Sequence, residues 1–296
     1  MTTPLPVPAR TAGQDVNRQR ALDALSKLPP FSPILSKLMA SLAGQDVSFV
    51  VLGDLIEKDA VVAGNILRVV NSAIYARRGE VNSIRHALSV LGVEKVRNTV
   101  LAMSISRMLN QAKTPPGWSM ERFNRHSAAV AMLSDLLAQH VRVEYPEGAF
   151  VGGLLHDVGQ MLIAMGLPKE FSDIQRIQLR DQAPWIECER SVLGFDHACL
   201  SADALQVWKL PDPIRFAVGQ HHDDAPTRSG PVLPLGCVLR AANLYVNSLG
   251  HTIRNMSVDE QQSVEAFQGL GLAPDVLERL IEQFHTEHNA IAQFYQ

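Results

Sequence analysis

Residues 121–140 read ERFNRHSAAVAMLSDLLAQH, and this run decides the fold class. His126, Val130, Leu133 and Leu137 stand at steps of four, three and four, the spacing that sets side chains along one stripe of an α-helix. The same rhythm extends outward in both directions. Apolar residues recur three and four apart through almost the whole chain. Runs alternating at period two, the mark of half-buried strands, are scarce. The sequence predicts an all-α protein.

The composition suits a packed globule. The 296 residues are 46% hydrophobic and 19% charged, enough for one large domain or two small ones. A formal net charge of -3 favours neither nucleic acid nor an acidic lipid surface as partner. Cys188, Cys199 and Cys237 form no CxxC pair and no disulfide framework, which points to a reducing cytoplasm. The opening stretch MTTPLPVPARTAGQDVNRQR lacks the apolar centre of a secretory signal. No apolar run is expected to reach the roughly 18–20 residues of a membrane span.

Residues 1–20, with Pro4, Pro6, Pro8 and Gly13, read as a flexible tail. Helices follow from Ala21. Ser32 before Pro33, Ser48 and Ser83 are placed as N-caps, and Gly44 and Gly92 as stops. The loop QAKTPPGW at 111–118 cannot continue a helix. It separates an N-terminal helical lobe, 21–110, from a second lobe, 119–250. Long helices are expected at 119–140, 149–165, 212–222 and 232–249, with shorter ones within 168–208. A C-terminal helical extension, 251–296, holds two more, about 257–268 and 273–294. Trp118, Trp185 and Trp208 read as packing residues.

The chemistry-bearing residues lie in the second lobe. His126 falls on the buried stripe of its helix, where an imidazole needs a hydrogen-bond partner or a metal. His156 and Asp157 stand together in GGLLHDVGQ (152–160), inside a helix whose apolar face carries Val151, Leu154, Leu155, Val158 and Leu162. Gly152, Gly153 and Gly159 each cost a helix roughly 0.5–1 kcal/mol relative to alanine, so a neighbour or ligand must approach the backbone there. His197 follows in GFDHACLSADAL, and His221 and His222 in AVGQHHDD. Imidazole and carboxylate groups from several helices are how a bundle builds a metal site. A mixed N/O set suits Fe, Mn or Zn, and such a metal activates bound water. Singly, each residue also fits a hydrogen-bonded core or a solvated helix end. Together, in this order, they are far more specific.

That order resembles the HD superfamily of metal-dependent phosphohydrolases, and the ligand order is most like that of its HD-GYP branch. LPPFSPILSKLMASL (28–42), the stretch 56–92, RHSAAVA (125–131), GGLLHDVGQ and WKLPDPIRFAVGQHH (208–222) resemble the HDOD family. The likeness covers about 22–245 and is most specific between Asp59 and Gly92, with Asn71-Ser72. It implies a two-lobed helical bundle whose C-terminal lobe is HD-like, in a bacterial signal-transduction protein of a family generally without HD activity.

Three departures from the catalytic pattern bear on function. Where HD enzymes close the site with an aspartate, LRAANLYV (239–246) places Asn243, a neutral and weaker metal ligand. Gln160 stands where HD-GYP proteins have a lysine, and brings no positive charge to a phosphate. After His222 comes DDAP, with no Gly-Tyr-Pro, and Asp223 and Asp224 repel an anion. The expectation is therefore a non-catalytic regulatory output module that works through contacts with signalling or regulatory proteins or a second copy, and holds a divalent metal or small ligand in a degenerate pocket of His126, His156, Asp157, His197, His221 and His222. The alternative is a metal-dependent phosphohydrolase acting on nucleotides or cyclic dinucleotides. A third reading, DNA binding through a helix-turn-helix at IRHALSVLGVEKVRNTV (84–100), is disfavoured by the apolar positions Leu88, Leu91, Val96 and Val100 and by the net negative charge.

Overall fold

A computed structural model describes residues 12–42, 48–72, 80–223, 231–254 and 260–291. Among them the chain is helical, with no strand and one isolated bridge between Val143 and Leu233. Local chemistry starts the first helices. Ser32 Oγ accepts from Leu35 N and opens α2 (Pro33–Ser41). Ser48 does the same for α3 (Phe49–Glu57), and Ser83 for α5 (Ile84–Leu91). Asp59 caps α4 (Ala60–Val70) through Val61 N and Val62 N. Gly92, at φ 85°, ends α5, a backbone region natural to glycine. Gly44 and part of the Asp59–Gly92 stretch lie outside the described residues. Asn71 has a clear role: its side chain donates to Val81 O at 2.7 Å and accepts from Val81 N at 2.9 Å. It thereby staples the end of α4 to the chain entering α5.

α6 (Val93–Leu109) and α7 (Met120–Ala138) are buried on most of their circumference. α6 closes the N-terminal lobe over α2, α4 and α5, and also reaches α8 (Ala149–Leu155). α7 is the spine of the C-terminal lobe and packs along α8 and α14 (Leu235–Ser248). α9 (Val158–Gly166) follows α8. The rest of this lobe comprises α10 (Pro168–Asp181), α11 (Trp185–Leu193), α12 (His197–Val207) and α13 (Asp212–Gly219). α15 (Glu260–Leu270) lies on α14, and α16 (Pro274–Ile291) on α7.

Several sequence expectations are corrected. The tail expected through residue 20 is helical from α1 (Ala12–Asp23). That helix packs on α9 and α12, and Arg18 pairs with Asp203; residues 1–11 lie outside the description. The helix expected at 149–165 is two helices, α8 and α9, with His156 and Asp157 at the break. The cause is local. Gly159 N leaves the helical ladder to donate to Ser201 Oγ at 2.8 Å, and Asp157 adopts φ -103°, ψ 7°, outside helical geometry. α13 stops at Gly219, so His221 and His222 follow it in a turn. Finally, the 21-residue stretch Pro146–Gly166, which contains α8 and α9, is long and apolar enough by length and composition to cross a membrane, contrary to expectation; an apolar 18-residue window of it is buried inside the fold.

Two glycines show what approaches the backbone. A Cβ at Gly153 would lie 2.7 Å from Ala131 Cα on α7, and one at Gly159 2.2 Å from His197 O. The neighbour is the protein itself: α8 lies against α7, and α9 against the start of α12. These contacts draw the break at His156-Asp157 toward both His126 and His197.

Candidate metal centre

All six donor residues expected from the sequence meet at one place. His126 comes from α7, His156 and Asp157 from the α8–α9 break, His197 from the first residue of α12, and His221 and His222 from the turn after α13. His126, His156, Asp157, His197 and His221 are buried, and His222 is half-buried.

The histidines share a design. His156 Nδ1 donates to Gly153 O at 2.7 Å, His221 Nδ1 to Val218 O at 2.6 Å, and His126 Nδ1 to His251 O at 2.7 Å. His197 Nδ1 lies 2.5 Å from Glu189 Oε2. Acceptors that carry no proton fix the hydrogen on Nδ1 and leave Nε2 as the inward atom. Each Nε2 then faces Asp157. His126 Nε2 and His156 Nε2 lie 3.4 and 3.2 Å from Asp157 Oδ2 and 3.2 Å from each other. His197 Nε2 and His221 Nε2 lie 3.0 and 3.7 Å from Oδ1, and His222 Nε2 lies 2.8 Å from His197 Nε2. One carboxylate thus divides two donor groups: His126, His156 and Asp157 on one side, and Asp157, His197, His221 and His222 on the other.

This donor set fits a divalent metal. His126 Nε2 and His156 Nε2 lie 3.2 Å apart beside a carboxylate oxygen, an arrangement that a cation held between them would satisfy. His221 Nε2 is buried without a hydrogen-bond partner, which is costly unless something else binds it. The outer partners of the imidazoles are those that orient metal-binding histidines elsewhere.

Charge state follows the same geometry. Burial pushes His156 down to about 4, against the pull of Asp157, and holds His222 well below the usual range, helped by the neighbouring imidazoles of His221 and His197. Burial also works against charge on His197, but Glu189 and Asp157 flank it and raise it to about 10. Burial likewise opposes ionisation of Asp157; His156 and His197 outweigh it and keep the carboxylate well below its ordinary value. Two buried carboxylates thus call for positive charge at this spot. A metal binding at His197 Nε2 would displace a proton.

Two important residues escaped the sequence reading. Glu189 is fully buried and accepts from Trp185 Nε1 at 2.6 Å, His197 N at 2.9 Å and the His197 ring. Its signal was present: Glu189 shares the buried face of α11 with Trp185, Cys188 and Leu193, and a carboxylate on an apolar stripe demands a partner. Arg254 lies in the short stretch 251–254 that follows α14, where no periodicity marks it. Its guanidinium carbon sits 3.4 Å from the centre of the Trp185 ring, and its Nη1 donates to Gln160 Oε1 at 2.5 Å. Asn243 is buried on α14, and its Oδ1 accepts from Asn247 Nδ2 at 2.9 Å. Asp157, His126, His197, His222, Asn243 and Arg254 all border one cavity of about 840 Å³. Trp185 lines it too, besides packing on Phe171. Asp224 lies outside the described residues.

Comparison with known proteins places this architecture. An HDOD domain protein from Geobacter sulfurreducens superposes with a TM-score of 0.75 at 21% identity, covering 95% of this chain and 98% of that one. A Marinobacter aquaeolei protein provisionally described as a signal transduction protein gives 0.70 at 20% identity, covering 96% and 66%. A Shewanella amazonensis protein provisionally described as a phosphohydrolase gives 0.70 at 22% identity, covering 94% and 98%. At these identities the likeness is one of fold. An uncharacterised Treponema pallidum (strain Nichols) protein is 20% identical over 227 residues, 77% of this chain; the chain spans only 44% of that relative's length. The sequence pattern of the HDOD domain matches residues 28–224, two thirds of the chain, from the Leu28 end of the N-terminal lobe through both histidines after α13, and the chain therefore belongs to the HDOD domain family.

Proposed function

We propose that this chain is a regulatory signal-transduction module that holds a divalent metal, Fe, Mn or Zn, between His126, His156, Asp157, His197, His221 and His222, and acts through contacts with signalling proteins rather than by turnover. The observation that carries the metal is the shared orientation of four imidazoles, each tied at Nδ1 and each turning Nε2 toward Asp157. When bound, the metal would supply a Lewis acid and an activated water. Against turnover stand Asn243, whose amide oxygen is engaged by Asn247, and Gln160 in place of a cationic side chain. The provisional description of the Marinobacter protein supports a signalling role. The basic residues of the helix-turn-helix-like stretch offer little to DNA phosphates: Arg85 faces Asp54, Arg97 faces Glu94 and Lys95 faces Glu287.

The test is elemental analysis of the full chain purified without chelator. About one or two equivalents of Fe, Mn or Zn are expected, lost in His156→Ala and Asp157→Ala. A metal-free wild type that takes up none of these ions at micromolar concentration rejects the metal reading.

One observation favours a second reading, a metal-dependent phosphohydrolase: the Asp157 carboxylate divides two donor groups, as a two-ion hydrolytic site requires. The provisional description of the Shewanella protein agrees with it. A screen of nucleotides and cyclic dinucleotides with the metal-loaded protein separates the two, and multiple turnover abolished by Asp157→Ala replaces the regulatory reading.

A further inference from the structure

Arg254 is a cation in an unusual position. Its guanidinium carbon sits over the Trp185 ring, 3.4 Å from its centre, with the rings of Trp118 and Phe171 each 5.7 Å away. Such stacking fixes the plane of the fork. Nη1 is used by Gln160, whereas Nε and Nη2 are buried without a hydrogen-bond partner. No salt bridge to a carboxylate is formed among the described residues. Burial lowers its pKa to about 10, with Glu189 and Asp157 pulling the other way, so it stays charged at neutral pH. Two desolvated donors on a charged group are expensive to leave unused. They are also the adjacent pair, on one edge of the fork, that matches two oxygens of a single oxyanion.

The surroundings narrow the ligand. Arg254 shares its cavity wall with Asp157, His126, His197 and His222, so an oxyanion on the fork would lie beside the metal donors. The cavity, about 840 Å³, is far larger than inorganic phosphate needs and falls within the size range of sites for drug-sized molecules and cofactors. Its wall also carries the amides of Gln178, Gln182, Asn247 and Gln262; Asn247 and Gln182 give their NH2 groups to Asn243 Oδ1 and Leu179 O and present oxygens. Amides pair a donor with an acceptor, as the edge of a nucleobase does.

We propose that Arg254, stacked on Trp185 and braced by Gln160, is the anion-recognition residue of this pocket, and that the pocket takes a nucleotide, with its phosphoryl oxygens on the Arg254 fork. Gln160 then acts at one remove. It brings no charge itself but holds one that arrives from outside the family-matched segment. This deepens the reading of the pocket as a metal site by naming a ligand class, and rests on that pocket being a ligand site.

The experiment is calorimetric titration of the full chain, with Mn²⁺ and again with EDTA, using AMP, GMP and inorganic phosphate, with adenosine as the charge-free control. AMP or GMP should bind, and adenosine at least about ten-fold more weakly. Arg254→Ala should weaken nucleotide binding about ten-fold or more while metal content stays unchanged. Arg254→Lys, which keeps the charge and loses the fork, should also lose several-fold; it serves as the decisive variant if Arg254→Ala unfolds, as judged by circular dichroism. Nucleotide should change the fluorescence of Trp185, an effect absent from Trp185→Phe. A wild type that holds metal yet binds neither phosphate nor nucleotide overturns the proposal and leaves the metal reading standing. Equal nucleotide affinity in Arg254→Lys and wild type overturns it as well. Arg254-dependent nucleotide binding in a protein that takes up no metal supports it and removes the metal reading instead.

Discussion

Glu189 shows how one side chain organises others. It receives hydrogen bonds from the Trp185 indole, from the His197 backbone and from the His197 ring, so it sets the ring plane and places the proton on Nδ1. Outer partners of this kind typically contribute 10–100-fold to metal affinity. Glu189→Gln is expected to lower affinity for Zn²⁺ by about that factor with helical content retained, measured by competition with a chromogenic chelator. At this scale the sequence was informative where a polar residue interrupts an apolar stripe. His126 stood out against Val130, Leu133 and Leu137, all buried. Glu189 carries the same mark beside Cys188. Arg254 carries none, because it lies in chain with no period to violate.

Among elements, the break between α8 and α9 matters most. It was hidden because VGGLL and VGQML keep the apolar pattern on both sides of His156-Asp157, so the period runs through a turn as if through a helix. What makes the turn is a long-range contact, Gly159 against the start of α12. Adding a methyl tests the two kinds of glycine. Gly159→Ala and Gly153→Ala place Cβ against backbone atoms at 2.2 and 2.7 Å; each is expected to cost more than about 2 kcal/mol. Gly152→Ala meets side chains rather than backbone, the Leu239 methyls at 3.2 and 3.4 Å and Ile214 Cγ2 at 3.7 Å. Helix propensity offsets those contacts by about 0.5–1 kcal/mol, so a change of under about 1 kcal/mol is expected. Urea denaturation at neutral pH measures all three.

Over the whole molecule, the two lobes and their helical content were legible, the lobes through the family likeness. The wrapping of the C-terminal lobe by α1 and α16 was not, since it depends on surfaces that no local pattern pairs. α16 is fixed partly by Lys95–Glu287 at 2.7 Å and by a second histidine group. His288 is buried against Phe284 and His251, with its Nε2 unpartnered. Burial, then His251, His285 and Arg125, lowers its pKa to about 4. A histidine depressed in this way binds fewer protons folded than unfolded. Its contribution to stability is therefore present above about pH 6.5 and lost as pH falls toward 4. Wild type should lose about 1–2 kcal/mol more than His288→Leu between pH 7 and pH 4.5, read from parallel urea melts.

The bond from His126 Nδ1 to the His251 carbonyl has a practical side. The family match ends at residue 224, and a fragment trimmed there would look complete, with every histidine of the pocket present. The partners of His156, His197 and His221 would remain in the sequence, but α14, which packs on α7, would be gone, and His126 would be free to flip its ring and exchange tautomers. Such a fragment would understate the affinity of the intact chain, and a negative result obtained with it would say nothing about the protein from which it was cut.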